Sequence, residues 1–298
     1  MGSPSIAHYG TTIIETAPPE GAVQKDIPKE GELKGALRFL ELAGFRTLME
    51  NMYPDLGRQY IWNRGSQDDV DYIEMDSFTS YSAVERPPTD RPRVGDTFFR
   101  LTHADPRGLY DAWQAEGLID CLVSADREAA FKAGDADWIL IRGPQKQIFE
   151  LGPTQASRAE NHTIYICTDR AALDQTAAGF CDHFDLKDAG SFDFYGVANG
   201  LCLRREKPGI TIGLLTPLDG EAIEPRWTDD IFKEAGYSHY RMGAWDKAKV
   251  LAASRESFPD GGGDVSFVYF HESYLELVQV HDDDPGLSEA VPEAAAAE

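Results

Sequence analysis

The stretch HTIYICTD, residues 162–169, reads as a short strand that ends in aspartate, and a helical pattern follows it at 170–184. An aspartate in this place favours a helix start, because its carboxylate accepts a hydrogen bond from a free amide of the first turn. Two further stretches have the same form and lead into helical patterns at 106–117 and 247–258: TFFRLTHAD (97–105) and HYRMGAWD (239–246). The sequence therefore predicts a repeated structural unit.

Each unit closes on apolar strands, which lie at 138–153, 210–217 and 265–280. A weaker copy stands at the front, with a strand at 9–17, a helix at 32–45 and a closing strand at 71–78. Such a βαβββ unit exposes a sheet face and sheet edges, so pairing units is an economical way to bury them. We predict an α+β fold in which four βαβββ units pair, in chain order, into two cup-shaped half-barrels.

This prediction divides the chain into three parts. Residues 1–155 form a first, non-catalytic pair of units, and residues 156–281 form a second pair that holds the functional site. Residues 282–298 are acidic, rich in small residues and without apolar periodicity, and are predicted to be a disordered tail.

Composition narrows the class of protein. A chain of 298 residues with 42% hydrophobic residues can bury a sizeable core. With 28 basic and 51 acidic residues, the net charge of −23 repels nucleic acid. No apolar run is long enough to cross a bilayer, and the first residues lack the features of a secretion signal, so no membrane partner and a cytoplasmic location are expected. The four cysteines show no CxxC spacing, which argues against a structural zinc site or a disulfide framework.

Histidine recurs at one position of the opening strands. Counting seven residues back from the capping aspartate gives His162 in the third unit and His239 in the fourth, but Phe98 in the second. In the first unit the comparable position is Thr11, and His8 is interpreted as a surface or loop residue. Two histidines at equivalent places indicate a shared role in the second half of the chain.

The last closing strand carries a carboxylate among apolar neighbours. Glu276 lies between Leu275 and Leu277, and its equivalents are Glu150 in the second unit and Gly213 in the third. A buried carboxylate costs several kcal/mol unless it is paired or bound to a metal. Glu150, which lacks histidine companions, is interpreted as a remnant that is paired with an arginine or partly exposed.

These positions predict a metal site built from His162, His239 and Glu276. Two imidazoles and one carboxylate leave coordination positions open, as in non-haem Fe(II) oxygenases, so Fe(II) is the expected metal, with Mn(II) or Zn(II) as alternatives. The aromatic residues Phe192, Phe194 and Tyr195 are compatible with an aromatic pocket and equally with core packing.

The repeated histidine, the LELV ending at 275–278 and the four units together resemble the vicinal oxygen chelate superfamily, which includes glyoxalase I, resistance proteins and type I extradiol dioxygenases. The resemblance covers about residues 8–280. It implies paired βαβββ modules around one divalent metal. Extradiol enzymes use two histidines and one glutamate on iron, and Gly213 stands where glyoxalase-like members usually place a fourth ligand.

The resemblance implies a ring-cleaving dioxygenase that acts on a small aromatic or oxygenated substrate. Where extradiol enzymes carry a further histidine, this chain reads KPGI at 207–210. Tyr269 could then bind a substrate oxygen, and His183 or His271 could supply a proton. Two alternatives stay open: a glyoxalase-type isomerase or lyase that uses the metal as a Lewis acid, and a non-catalytic binder of small molecules. A homo-oligomer is also possible.

Overall fold

The computed structural model describes residues 8–14, 31–53, 57–63, 72–78, 94, 97–144, 148–154, 162–167, 169–196, 198–205, 210–218, 238–254, 256–259, 265–271 and 273–279. The predicted tail at 282–298 lies outside these ranges. Within them, no helix is both long enough and apolar enough to span a membrane.

All four predicted units are present. The first contains β1 (His8–Ile14), α1 (Gly31–Leu42), β2 (Arg46–Tyr53), β3 (Gly57–Asn63) and β4 (Tyr72–Phe78). The second contains β5 (Thr97–His103), α2 (Pro106–Ala115), β6 (Asp120–Cys121), α3 (Ala125–Ala133), β7 (Ile139–Arg142) and β8 (Ile148–Pro153). The third contains β9 (His162–Ile166), α4 (Arg170–Phe184), β10 (Lys187–Phe194), β11 (Ala198–Arg205) and β12 (Ile210–Pro217). The fourth contains β13 (Ser238–Ala244), α5 (Lys247–Ala253), β14 (Glu256–Pro259), β15 (Val265–Phe270) and β16 (Ser273–Gln279).

The three predicted capping aspartates begin their helices as expected. Oδ1 of Asp105, Asp169 and Asp246 accepts a hydrogen bond from the backbone amide three residues later, at 2.9, 2.8 and 2.9 Å respectively. One helix is shorter than predicted: α5 ends at Ala253 because Glu256–Pro259 pairs as a strand with β15. Helix α3 was not predicted. It begins at the cap Ser124 and ends at Gly134, whose positive φ of 90° favours glycine.

The strands form two eight-stranded sheets, and their order contradicts the predicted pairing of consecutive units. One sheet has the order β14-β15-β16-β13-β1-β4-β3-β2, so it joins the first and fourth units. The other has the order β10-β11-β12-β9-β5-β8-β7-β6 and joins the second and third units. We call them the outer-unit sheet and the middle-unit sheet. The predicted boundary near residue 155 therefore does not lie between two sheets. The strands on either side of it, β5 and β9, pair with each other in one sheet.

A single main core cluster contains apolar residues from the helices and from both sheets. Trp113 of α2 stacks on Phe39 of α1 with ring centroids 4.1 Å apart, and its Nε1 donates to the Phe39 carbonyl oxygen at 3.0 Å. Phe180 of α4 packs edge to face against Phe270 of β15. Each sheet thus turns one face toward the helices.

Side-chain alternation assigns strand residues to the two faces of the middle-unit sheet. Phe149 and Leu151 belong to the main core, whereas their neighbour Ile148 belongs to a second, smaller cluster with Leu140 and Leu215. We call the face of each sheet that lies opposite the main core the open face.

Candidate metal centre

Strand register identifies equivalent positions in the first and fourth units. In the fourth unit, Arg241 of β13 is the direct partner of Glu276 of β16, and His239 lies two residues before Arg241. In the first unit, Gly10 of β1 is the direct partner of Glu74 of β4, and His8 lies two residues before Gly10. His8 and Glu74 therefore occupy the positions that His239 and Glu276 occupy in the last unit.

These four positions lie on adjacent strands and on one face of the outer-unit sheet. The strands run in the order β16-β13-β1-β4, and Gly10 lies directly opposite His239. Directly paired residues share a face, as do residues two apart in one strand. Leu275 and Leu277 are fully buried in the main core, so position 276 belongs to the open face. The four positions therefore lie side by side across four adjacent strands, which are spaced about 4.8 Å apart.

The predicted ligand set is divided between the two sheets. His239 and Glu276 lie in the outer-unit sheet, whereas His162 lies on β9 in the middle-unit sheet. The main core receives the helix-packed faces of both sheets, so the two open faces look away from each other. The strand order therefore contradicts the predicted grouping of His162 with the other two residues.

The contribution of the first unit is not evident from the sequence pattern. The pattern predicts Thr11 at the equivalent position and His8 at the surface, whereas the register makes His8 the counterpart of His239. The difference arises because β1 is not followed by a capping aspartate, the residue from which the positions in the other units are counted. The signal that could have found the site is the likeness of YIEM at 72–75 to YLEL at 274–277, where each glutamate occupies the same place.

The middle-unit sheet carries a different set at the same four positions: Phe98, Glu150, His162 and Gly213. Glu150 is only 4% exposed, and Nε of Arg100 lies 2.6 Å from its Oε2. The Tyr195 hydroxyl donates to its Oε1 at 2.9 Å. Burial, together with the Glu150 charge, raises the pKa of Tyr195, which keeps that hydroxyl protonated as a donor. Of the two alternatives for Glu150, pairing with an arginine is confirmed and partial exposure is wrong.

The three proposed catalytic residues separate onto two faces. Tyr269 of β15 is 5% exposed and alternates with the core residues Val268 and Phe270, so it lies on the open face that includes position 276. It lies two residues beyond Phe267, the direct partner of Glu276.

His183 and His271 lie on the helix-packed side, so the prediction that they supply a proton at the site is wrong. Nδ1 of His183 lies 2.9 Å from the Gly179 carbonyl oxygen of α4, and its ring packs edge to face on Phe270. His271 also packs against Phe270, and a Cβ atom at Gly179 would overlap its Nε2. Both imidazoles therefore serve the packing of α4 on β15.

The side chains of His8, Glu74, His162, His239 and Glu276 lie outside the described part of the structure, although their strands are described. Among the side chains that are described, no group of three or more His, Cys, Asp or Glu residues could hold a metal ion.

Comparison with solved structures shows the same fold in an enzyme. Glyoxalase I from Zea mays matches with a TM-score of 0.57 and 13% identity, over 91% of this chain and 91% of that chain. A single-residue variant of the same enzyme matches with a TM-score of 0.57 and 12% identity, over 92% of this chain and 94% of that chain. The chain therefore shares its fold with glyoxalase I, which is one of the proteins that the sequence resemblance named.

No protein-family model matches the sequence. No curated protein matches it either.

Proposed function

We propose that the chain is a metal-dependent enzyme of the glyoxalase type, an isomerase or lyase that acts on a small oxygenated substrate. The proposed metal ligands are His8, Glu74, His239 and Glu276. The observation that carries the proposal is the strand register, which gives two different units the same His and Glu positions on one face of one sheet.

The donor set fits a divalent ion. Imidazole nitrogen and carboxylate oxygen are ligands of Zn²⁺, Fe²⁺, Mn²⁺ and Ni²⁺, and two carboxylates offset the charge of a dication. Two unit-related His and Glu pairs also give the set a pseudo-twofold symmetry that matches the antiparallel pairing of β1 with β13. A bound ion would act as a Lewis acid that polarises an oxygen of a chelating substrate.

The protein's own groups supply positioning and proton transfer. Tyr269 places a buried phenol on the open face, one strand beyond Glu276, where it can hold a substrate oxygen. Glu74 or Glu276 could accept a proton from the substrate if a substrate oxygen took its place as a ligand.

The dioxygenase interpretation loses its main support. It rested on two histidines and one glutamate, with Gly213 in the fourth ligand place, but Gly213 lies in the middle-unit sheet. In the outer-unit sheet the fourth place is taken by Glu74. Four protein ligands favour Lewis-acid chemistry over a site that keeps positions open for both a substrate and oxygen.

A second candidate is a metal-free binder of small molecules. Arg241 is the direct partner of Glu276, as Arg100 is of Glu150, and Arg100 forms an ion pair with that glutamate. A corresponding pair between Arg241 and Glu276 would satisfy the carboxylate without a metal.

Metal content and oxygen uptake together test the proposal. The purified protein is stripped with a chelator, reloaded separately with Zn²⁺, Ni²⁺, Co²⁺, Mn²⁺ and Fe²⁺, and analysed for bound metal. It is then assayed for glyoxalase I activity and for oxygen uptake with catechols. We expect one tightly bound ion, lyase or isomerase turnover and no oxygen uptake. Oxygen uptake would restore the dioxygenase hypothesis, and failure to bind any of these metals would favour the metal-free binder.

A further inference from the structure

On the open face of the middle-unit sheet, an arginine of the protein lies beside the buried glutamate Glu150. Arg100 lies directly opposite Glu150 in register and forms an ion pair with it, and its guanidinium carbon lies 4.1 Å from the ring centre of Trp138. The other equivalent positions hold Phe98, His162 and Gly213, and of these three only His162 has a side chain that binds metals. Glu150 is already paired with Arg100, so this face does not repeat the two His and Glu pairs of the outer-unit sheet.

A cavity of about 530 Å³ opens against this ion pair. Its wall includes Arg100, Trp138, Phe192, Tyr195 and Arg127. A cavity of this size, lined by aromatic rings and a few polar groups, is in the range that binds small organic molecules. The aromatic pocket that the sequence left open for Phe192, Phe194 and Tyr195 is therefore present.

Two arginines that line the cavity have guanidinium N–H groups that do not bond to any described residue. Arg100 directs only its Nε to Glu150, and no described residue accepts from its Nη atoms. Arg127 lies over the Tyr195 ring at 5.3 Å, and within the described residues its guanidinium forms no ion pair. Stacking on aromatic rings restricts both side chains, which lowers the entropy cost of binding a ligand with them.

The carboxylates around the cavity already have partners. Glu150 accepts from Arg100 and Tyr195. Asp193 accepts from the backbone amide of Gly196, and Asp137 lies 3.9 Å from Arg107. Glu150, the buried carboxylate of the wall, is thus occupied, and the guanidinium donors of Arg100 and Arg127 favour a ligand that carries an anionic acceptor.

Tyr195 lies in the turn between β10 and β11. Its φ is 54°, in the left-handed region that non-glycine residues rarely adopt. The hydroxyl bond to Glu150 and the stacked Arg127 hold the ring in place. The aromatic wall is thus fixed before any ligand arrives.

We propose that this cavity binds a small planar aromatic carboxylate, with the carboxylate at Arg100 and Arg127 and the ring against Trp138, Tyr195 and Phe192. The site is separate from the metal centre, since it lies on the open face of the other sheet. It binds its ligand without a metal, and its occupancy does not depend on the function proposed for the outer-unit sheet.

Calorimetric titration of the full chain with 2-naphthoate tests the proposal, with the uncharged 2-naphthamide as the matched ligand. Both are measured on metal-stripped and metal-loaded protein. We expect one saturable naphthoate site per chain, the same affinity in both preparations, and binding of the amide that is weaker by roughly tenfold or more, since a charge-assisted hydrogen bond is lost.

Two variants locate the site. Arg127→Gln changes an exposed side chain and should weaken naphthoate binding by roughly tenfold. Ser191→Trp, which fills the cavity from an exposed position in its lining, should abolish it. Arg170→Gln, which removes an exposed arginine of α4 outside the cavity, is the control and should bind as the parent does.

Four results would overturn the proposal. The first is the absence of saturable naphthoate binding up to millimolar concentration. The second is equal affinity for the acid and the amide. The third is an Arg127→Gln variant that binds like the Arg170→Gln control while Ser191→Trp also has no effect. Loss of binding on removal of the metal would indicate that the ligand binds at the metal centre of the outer-unit sheet, and it would also reject this site.

Discussion

Gly10 and His239 are direct partners in the antiparallel pair of β1 and β13, which joins the first unit of the chain to the last. In the middle-unit sheet the corresponding pair is Arg100 and His162, by continuation of the register that sets Phe99 opposite Thr163. The two sheets therefore repeat one register with different residues. The outer-unit sheet has His and Glu at all four equivalent positions, and the middle-unit sheet has an ion pair and a cavity.

The first prediction separates the two possible ligand sets. His8→Gln should weaken metal binding by about 100-fold or more, because loss of a ligand should cost at least as much as loss of an outer-shell partner. His162→Gln should leave metal affinity unchanged, since that residue lies in the other sheet. Metal competition titrations of the two variants measure this, and the reverse result would restore the grouping of His162 with His239 and Glu276.

The glutamates give an equivalent comparison. Glu74→Gln and Glu276→Gln should each reduce bound metal, whereas Glu150→Gln at the matching place in the middle-unit sheet should not. Elemental analysis of the three proteins after identical reloading measures the effect. A metal content that falls in all three would show a general effect on folding and would contradict the assignment.

Tyr269 is expected to act in turnover without holding the metal. Tyr269→Phe should lower kcat by roughly 100- to 1,000-fold, as expected when one hydrogen-bond donor to the reacting oxygen is removed, with metal content unchanged. His183→Gln should leave kcat as it is, because that imidazole packs on Phe270 at the helix-packed side. Steady-state kinetics of both variants measure the difference, and equal effects would remove Tyr269 from the site.

Removal of one partner of the ion pair between Arg100 and Glu150 should lower the free energy of unfolding strongly. Replacement of both partners by apolar residues should change it much less. Arg100→Met should lower the free energy of unfolding by roughly 3–5 kcal/mol, because it leaves a buried carboxylate unpaired. The double variant with Glu150→Met should recover most of that loss, since no buried charge remains. Denaturant unfolding measures both, with the exposed pair of Arg170 and Asp174 as the control: Arg170→Met should cost no more than about 1 kcal/mol.

One surface carboxylate should make stability depend on pH. The pKa of Glu128 is lowered from 4.5, first by the hydrogen bond from Lys132 and then by that from Tyr110. Its folded pKa lies below the unfolded value, so its contribution is complete above about pH 4.5 and is lost as the pH falls through the folded value. The stability difference between the parent and Glu128→Gln should therefore shrink between pH 6 and pH 3. A difference that is constant over this interval would contradict the assignment.

Local sequence was enough to predict the units and their helix starts. A capping aspartate acts within one turn of its helix, so Asp105, Asp169 and Asp246 could be identified without knowledge of distant residues. The place of Glu276 opposite the core face of its strand likewise follows from alternation with Leu275 and Leu277. The arginine partner of Glu150 was also anticipated, although the sequence did not identify it as Arg100.

Only the tertiary structure decided which units share a sheet. Each opening strand offers an edge with the same backbone donors and acceptors, so β1 could pair with either β5 or β13 as far as local pattern is concerned. The choice of β13 brings His8 and Glu74 beside His239 and Glu276 and leaves His162 on a separate face. The sequence by itself determined what each unit contains. The long-range pairing of strands determined which side chains can meet, because that contact depends on residues far apart in the chain.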